Sequence, residues 1–542
     1  MVHSRLAFID SVMSQKGEQT VHFAGLTARW EGLVYVDDFR AQQESVQHWL
    51  EQVDRHGLDH SMLLLKGAFF MLLQNVDGTV HAFVDNSGMF PAYWSPRGVS
   101  QSYLSLVDAL GLGVKDVDTL ALMEFLQTSN IYYNKTHFPD VRKIAYDERL
   151  EYRANTAVQN HCKPVAFIDS PIEHQSLLDS FKGYAHALAG TKISVDVTGG
   201  LDTRTLIAAM HAMDMDFETS VSGHPQHPDV VLGAKVAHSI DRPFYATTHN
   251  ACNLQSELEA TVESLDGLRS HVLTQHRLKQ YQSERYDRGM TLTLKGLGGE
   301  LYRDFIWLQD FPRYGSSRVD FERMHRMRME MLRIPETLLS DEYRAYGEQV
   351  RTQRIEQLQR YQRDTNTQSY DVAHCREFLQ VAASRQLGSW AYDGNLAQAP
   401  LSEIFRLQHP YHQAPSQRFG AHYQKRFITD CSLKLAKVYT TYGTRATTLA
   451  SDIPRDMVGR FTHYSKTFTR KLSQRYLNKT PFPLIPADDS DASRLFATSL
   501  FTRNMLNVLV QHGIFNPSVR VSDVPARFLP NCVAAGHFLS RL

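Results

Sequence analysis

The sequence predicts an α/β protein in two parts. An α+β part built on antiparallel sheets comes first, and an α/β part with a parallel sheet follows and runs into a largely helical C-terminal region. Three observations predict this. Two β-rich runs in "MLLLKGAFFMLLQNVDGTVHAFVD" meet around Asp77-Gly78, a strong hairpin signal. From about Ser170, strand-like and helix-like runs alternate, as in a sheet with crossover helices. Beyond residue 310 the texture is helical.

The elements follow in order. "ARWEGLVYVDD" (28–38) reads as an extended run, and "NSGMFPAYWS" as a Gly/Pro turn leading into aromatics. "QESVQHWLEQVDRHG" and "VDTLALMEFLQTS" are helical patches between them. "HQSLLDSFKGYAHALAG" is an amphipathic helix candidate ending at a glycine. "KISVDV", "FETSVSG" and "PFYATTH" are strand candidates, separated by the helix candidates "DTRTLIAAMHAM" and "DVVLGAKVAHSI". The stretch from Arg318 to Arg363 is rich in Arg, Glu and Gln and reads as a solvated helical face.

A chain of 542 residues exceeds what one hydrophobic core usually supports, so two or more domains are expected. Lys plus Arg and Asp plus Glu both number 58, so bulk charge points neither to nucleic acid nor to an anionic membrane. No run approaches the roughly 20 apolar residues of a membrane helix, and "MVHSRLAFID" lacks the apolar stretch of a signal peptide. Five cysteines (Cys162, Cys252, Cys375, Cys431, Cys532) show no CxxC pair or metal-type spacing. They read as buried small hydrophobes in a reducing compartment, so a cytoplasmic protein is expected.

The chemistry centres on "ISVDVTGGLDTRT" (193–205). A parallel sheet binds ligands beyond the C-terminal ends of its strands, where Thr198–Thr203 would sit. Gly199 and Gly200 can adopt backbone angles closed to other residues, turning N–H groups inward as an anion nest. The following helix would aim its positive end at the same place. Thr198 and Thr203 add hydroxyls, and Asp202 would hold a magnesium ion bridging phosphate oxygens. The plainer alternative is a tight strand-to-helix turn with Asp202 as an ordinary cap. The loop has neither the GK[ST] of a Walker motif nor GxGxxG.

"VTGGLDTR" resembles the SGGxDS signature of the PP-loop ATP pyrophosphatases, with Thr198 and Thr203 in the serine positions and Leu201 in the variable one. Arg204 is an addition that implies a further phosphate contact. "SVSGHPQHPDVVLGAKVAHSI" is similar to the adenine-side strand and helix of asparagine synthetase and its relatives, with Ser222 ending the strand and Asp229 before the helix. "LKGLGGELYRDF" resembles the later GxGxDE[LI]F motif through Gly296, Gly298, Gly299 and Glu300. A glycine stands where aspartate is usual, so Glu300 is the substitute for the second metal-binding acid; its plain alternative is a first-turn glutamate. "DGNLAQAPLSEIF" (393–405) resembles the segment before the last catalytic helices. "SLKLAKVYTTYGTRA" resembles the stretch whose lysine meets phosphate, with Lys437 as candidate and Lys434 as competitor.

The first part resembles a class-II glutaminase of the Ntn type, an antiparallel sandwich, through Gly67, Phe69, Asp85, Gly88, Pro91 and Tyr93. "FLQTSNIYYNKTHFPDVRKI" is similar to the end of that domain. The resemblance thus implies a degenerate glutamine amidotransferase-like domain over 1–165 and an asparagine-synthetase-like PP-loop domain over 172–542. Working glutaminases of this class carry an N-terminal cysteine after Met, whereas this sequence begins Met1-Val2-His3-Ser4. Ser4 would serve only after an unusual cleavage. Glutaminase activity is therefore expected to be absent, as in β-lactam synthetases and lasso-peptide cyclases.

The implied activity is AMP- and pyrophosphate-forming amide ligation with ATP and Mg²⁺. Asp202, Glu300 and Lys437 would be catalytic, and Asp202 and Glu300 would hold the metal. Thr198–Arg204, Ser222, Gly296, Gly298 and Gly299 would hold ATP and pyrophosphate. The expected partners are a small-molecule or peptide carboxylate and an amine, with a homodimer or biosynthetic partner proteins as possible associates, and neither nucleic acid nor membrane. The alternatives are an ammonia-dependent asparagine synthetase and a non-catalytic, nucleotide-binding scaffold.

Overall fold

A computed structural model describes residues 19–154, 156–249, 253–330, 334–388, 395–452 and 489–542, with scattered positions between 454 and 469. Ser4, Cys252 and Asp393 lie outside the described residues.

The first part is built on a six-stranded sheet. Strands β1 (Gln19–Phe23), β2 (Leu26–Tyr35), β3 (Lys66–Gln74), β4 (Val80–Val84), β8 (Glu148–Tyr152) and β9 (Gln159–Cys162) pair antiparallel in the order β1-β2-β3-β4-β8-β9. A smaller sheet, β6-β5-β7, is formed by β5 (Tyr93–Ser95), β6 (Gly98–Ser100) and β7 (Arg142–Lys143). The unbroken apolar run of β3 has a simple cause, because both of its faces are buried. Phe69, Met71 and Leu73 pack with Val46, Trp49, Leu50 and Val53, the helical stripe of α1 (Gln43–His56). Phe70 and Leu72 point the other way, to Val99, Ile144 and Trp94 around the small sheet.

The Asp77-Gly78 hairpin forms as expected: Gly78 adopts φ +82, and the Thr79 N–H donates to Asp77 Oδ1 at 2.9 Å. The next turn is knotted by Asp85, whose buried carboxylate accepts the N–H groups of Ser87 (3.0 Å), Met89 (3.1 Å) and Phe90 (2.8 Å). Helix α2 (Thr119–Thr128) starts at Asp118, which caps the N–H groups of Leu120 and Ala121.

The second part contains a five-stranded, wholly parallel sheet of β10 (Ile193–Asp196), β11 (Glu218–Ser222), β12 (Phe244–Thr247), β13 (Leu292–Leu294) and β14 (Leu396–Gln398). Its order is β12-β11-β10-β13-β14. Helix α3 (Asp202–Ala212) connects β10 to β11, and α4 (Pro228–Ser239) connects β11 to β12. Helix α5 (Val272–Asp287) precedes β13. The chain winds outward from β10 through β11 to β12 and then resumes on the other side of β10. The switch point therefore lies between β10 and β13, where α/β sheets open a crevice beyond their strand ends. The amphipathic run before β10 is shorter than its pattern suggests, a 3₁₀ turn (Asp179–Phe181) and one short helix (Lys182–Ala187).

The remainder is mostly helical, including α6 (Asp341–Leu358), α7 (His422–Cys431), α8 (Leu433–Lys437), α9 (Leu500–Gln511) and α10 (Leu529–Arg541). The expected solvated face of the Arg-rich stretch has a buried side as well. In α6, Gly347, Val350, Arg354 and Leu358 are buried at helical spacing, and the Arg354 Nη1 meets Glu124 of α2 at 2.9 Å. Periodicity hid this because the buried stripe contains an arginine and a glycine. The two expected domains share cores: Tyr103, Phe125 and Val141 lie in one cluster with Val262, Val350, Leu509 and Phe538. Cys375 and Cys532 are buried as expected, whereas Cys162 is exposed on the edge strand β9. Among the described residues no helix is long and apolar enough to cross a membrane.

Candidate functional site

The glycine loop lies where the sequence places it, between the end of β10 and the first turn of α3. Its glycines are needed for a different reason from the one expected. Neither Gly199 nor Gly200 has positive φ. A Cβ on Gly199 would instead stand 2.6 Å from Thr441 Cγ2 and 2.7 Å from Leu232 Cδ1. The loop is pressed between α4 and the 438–444 turn, and its position is pinned by Thr441 N–H donating to Gly199 O at 3.0 Å. The Gly199 N–H donates to Asp229 Oδ1 at 3.0 Å, and the Gly200 N–H to Thr198 Oγ1 at 3.2 Å. Thr198 and Thr203 hydroxyls meet at 3.1 Å. Two of the expected nest donors are thus engaged by side chains, one from α4 and one from the loop itself. The N–H groups of the first turn of α3 have no acceptor within their own helix and face the crevice end of the sheet.

The second glycine motif packs onto this turn. A Cβ on Gly296 would lie 2.6 Å from Thr203 N, and one on Gly299 2.5 Å from Asp202 Cβ. Gly298 adopts φ +89, with Ser402 against it. Gly296 and Gly299 therefore touch the N-terminal turn of α3 at backbone distance, whereas Gly298 supplies a left-handed backbone turn against Ser402. Asp202 is held firmly: Arg303 Nε donates to Oδ1 at 3.1 Å and Nη2 to Oδ2 at 3.0 Å. Gln424 Nε2 of α7 donates to Oδ1 at 3.0 Å and to Gly299 O at 2.9 Å. Burial alone would lower the Arg303 guanidinium, but the charge and hydrogen bonds of Asp202 together outweigh it and raise it.

Glu300 looks elsewhere. Its Oε1 lies 3.0 Å from His374 Nε2, and its Oε2 accepts the Gly298 N–H at 3.0 Å. Burial alone would raise this carboxyl, but the hydrogen bond and charge of His374 outweigh it and hold it below its usual range. Among the described residues no group of three His, Cys, Asp or Glu side chains is arranged to hold a metal ion. Asp202 and Glu300, expected to share Mg²⁺, are each engaged by a protein partner. As arranged, these carboxylates do not fit a bridging divalent ion.

A cleft of about 270 Å³ opens beside the loop at the ends of β10 and β11. Thr198, Ser222 and Asp229 line it together with His249 and Arg277. The Ser222 hydroxyl is buried at this wall without a hydrogen-bond partner. Asp196 also lines the cleft and belongs to a buried ionic cluster behind it: its Oδ2 meets Lys295 Nζ at 2.7 Å, and its Oδ1 accepts from Arg285 Nη2. Arg285 Nε also reaches Ser220 Oγ at 2.9 Å. The two cations stand behind Asp196, and the lining itself carries Asp196 and Asp229 beside Arg277. Burial, only partly offset by Asp196, holds Lys295 down to about 8.

Two expected cationic contacts are placed differently. Arg204, wholly buried, donates Nη1 to Val438 O (2.6 Å) and Nη2 to Tyr439 O (3.0 Å). It clamps the 438–444 turn from inside rather than reaching for phosphate, because its helical position faces the core. Leu201 is buried, and its carbonyl accepts from Thr205. Lys437 and Lys434 are both exposed on the short α8. Of the 393–405 segment, β14 pairs with β13 and Glu403 forms a buried pair with Arg406 at 2.6 Å.

Sequence reasoning missed Arg303, Gln424, His374, Arg285 and Lys295. Arg303 and Lys295 flank the second glycine motif and were open to notice, whereas the others come from distant helices. No family model matches this chain, and no curated protein matches it.

Proposed function

We propose that this chain is an ATP-dependent amide ligase that adenylates a small-molecule or peptide carboxylate and couples it to an amine, releasing AMP and pyrophosphate. One observation carries the reading. A glycine loop joins β10 to α3 at the strand ends of a parallel sheet, beside a cleft at the ends of β10 and β11 that is backed by the buried Asp196, Lys295 and Arg285 cluster. The resemblance to the PP-loop synthetases supports it, and so does the chemistry of the wall. Ser222 offers an unpaired hydroxyl to a nucleoside, and the α3 terminus with Thr198 and Thr203 offers donors to phosphate.

In the reaction a carboxylate oxygen attacks the α-phosphorus of ATP. The bond from that phosphorus to the bridging oxygen breaks, and pyrophosphate leaves with the electron pair. The amine then attacks the acyl carbon and loses a proton as the bond to AMP breaks. The residues here bind and orient: the loop fixes the phosphates, and Arg303 keeps cationic charge at the turn where negative charge gathers. Asp202 and Glu300 act here through their protein partners, Arg303 and His374. A cytoplasmic enzyme, as a homodimer or beside biosynthetic partner proteins, fits this reading.

A second reading, a nucleotide-binding scaffold without turnover, is favoured by that same engagement of both carboxylates. ATP–pyrophosphate exchange across a panel of carboxylic acids, with calorimetric titration of ATP, separates the two. Exchange with at least one acid, lost in Asp202→Ala, is expected. ATP binding without exchange for any acid selects the scaffold, and absence of ATP binding overturns both. Aspartate with free ammonia is one arm of the panel, testing an ammonia-dependent asparagine synthetase.

A further inference from the structure

A cavity of about 380 Å³ lies away from the nucleotide cleft, in the seam between the antiparallel part and the helical region. One wall comes from residues 133–148 and the other from residues 360–381. The volume is within the range of small-molecule sites.

The seam is firmly built. Arg385 donates Nη1 to Ile131 O at 2.5 Å and Nη2 to Lys135 O at 2.7 Å, fastening the first wall. Glu377, almost wholly buried, accepts the Tyr133 N–H at 2.9 Å and the Tyr361 hydroxyl. The Tyr133 and Tyr361 rings lie parallel, 4° apart in plane, with centroids at 6.4 Å. Both Glu377 oxygens are therefore engaged in the wall. Glu148 likewise accepts from Ala145 N (2.9 Å) and Asn160 Nδ2 (3.1 Å).

The donors are not matched. Gln380, 5% exposed, lines the cavity with its Nε2 buried and without an acceptor. An orphaned amide donor is costly unless a ligand or water completes it. Lys143, 1% exposed, reaches only carbonyls at long range, Gly88 O at 3.3 Å and Ile144 O at 3.5 Å. Arg360 is exposed at the rim with its guanidinium 5.1 Å from the Tyr133 ring centre. Arg376 is held over Tyr146 at 4.3 Å, with Asp147 at a loose 3.8 Å. Arg363 completes the cationic set but is paired with Asp169 at 2.8 Å.

From this excess of donors over acceptors we propose that the seam cavity binds a small acid bearing a carboxylate or phosphate group, its oxyanion against Arg360, Lys143 and Gln380. Arginine and amide donors around one open cavity suit such a planar or tetrahedral oxyanion. The site is independent of the nucleotide cleft, and its ligand would bridge both parts of the chain.

Calorimetric titration of the full chain with citrate and with inorganic phosphate, at matched ionic strength, tests this. Saturable binding of one ligand per chain is expected for at least one anion, and which one binds distinguishes carboxylate from phosphate. Arg360→Glu, at an exposed position, should weaken it at least tenfold while far-UV circular dichroism and ATP titration stay unchanged. Gln380→Leu, of similar shape, should also weaken it. Absence of saturable binding for both anions overturns the proposal, as does wild-type affinity in Arg360→Glu.

Discussion

Arg303 grips Asp202 through two parallel hydrogen bonds, Nε to Oδ1 at 3.1 Å and Nη2 to Oδ2 at 3.0 Å. This fork-on-carboxylate pair stands on the first turn of α3, where the PP-loop resemblance implies a metal ion. A guanidinium carries fixed charge and needs no dehydration of a bound ion. ATP affinity in the wild type is therefore expected to change less than about threefold between excess Mg²⁺ and EDTA, a difference below about 1 kcal/mol. Arg303→Met should release Asp202 and make the dependence at least tenfold. Complete loss of wild-type ATP binding in EDTA, measured by calorimetry, would show that Arg303 does not take the ion's place.

Gly299 stands at backbone distance from the same turn. Its alanine variant would put a methyl 2.5 Å from Asp202 Cβ and 2.9 Å from Asp202 Cα, and neither is the free end of a side chain. Gly299→Ala is expected to cost about 1–3 kcal/mol of stability by overpacking, and to weaken ATP binding at least tenfold. Thermal unfolding and nucleotide titration together check it. A variant with unchanged melting temperature and affinity would show that the contact is not maintained in solution.

Under the cleft, Asp196 is the one carboxylate between Lys295 and Arg285. Burial alone would raise Asp196, but the two cations outweigh it and hold it below the usual carboxylate range. Asp196→Asn leaves two buried cations facing each other, with an expected loss of about 3 kcal/mol. Urea unfolding at neutral pH measures this. The double variant Asp196→Asn with Lys295→Met should recover part of the loss, since only one cation then remains.

Acid sensitivity follows from buried histidines. Burial pushes His137 and His325 down to about 3, and His81 and His409 down to about 4. The unfolded chain takes up these protons near pH 6.5, while the folded chain refuses them until lower pH. The unfolded state thus binds more protons in the window from about 6.5 to about 3, and stability must fall as pH falls through it. His137 stacks on Phe538 with ring centres 4.1 Å apart, and neither of its nitrogens has a partner. His137→Phe is expected to move the acid-unfolding midpoint to lower pH, followed by circular dichroism. An unchanged midpoint would mean that other groups govern acid unfolding.

Local pattern carried much of the fold. The Asp77-Gly78 turn, the alternation of β10, α3, β11, α4 and β12, and the loop joining β10 to α3 rest on contacts between near neighbours. Side-chain destinations were less legible. Arg204 looks like a phosphate contact from its place beside the loop, yet its two terminal nitrogens close on carbonyls more than 230 residues away. Glu300 fits a metal ligand by motif, but His374, 74 residues on, claims it. The Arg-rich stretch of α6 concealed a buried stripe because Arg354 finds Glu124 across the core.

Residue order alone shows where strand gives way to helix, and that a glycine loop with hydroxyls and an acid ends the central strand. These depend on periodicity, backbone freedom and short-range hydrogen bonds. The folded chain was needed to show why Gly199 must be glycine, which cation meets Asp202, and that a charged cavity lies at the seam of the two parts. Each of those depends on which distant surface arrives at van der Waals or hydrogen-bond distance, and the packing of the whole chain sets that.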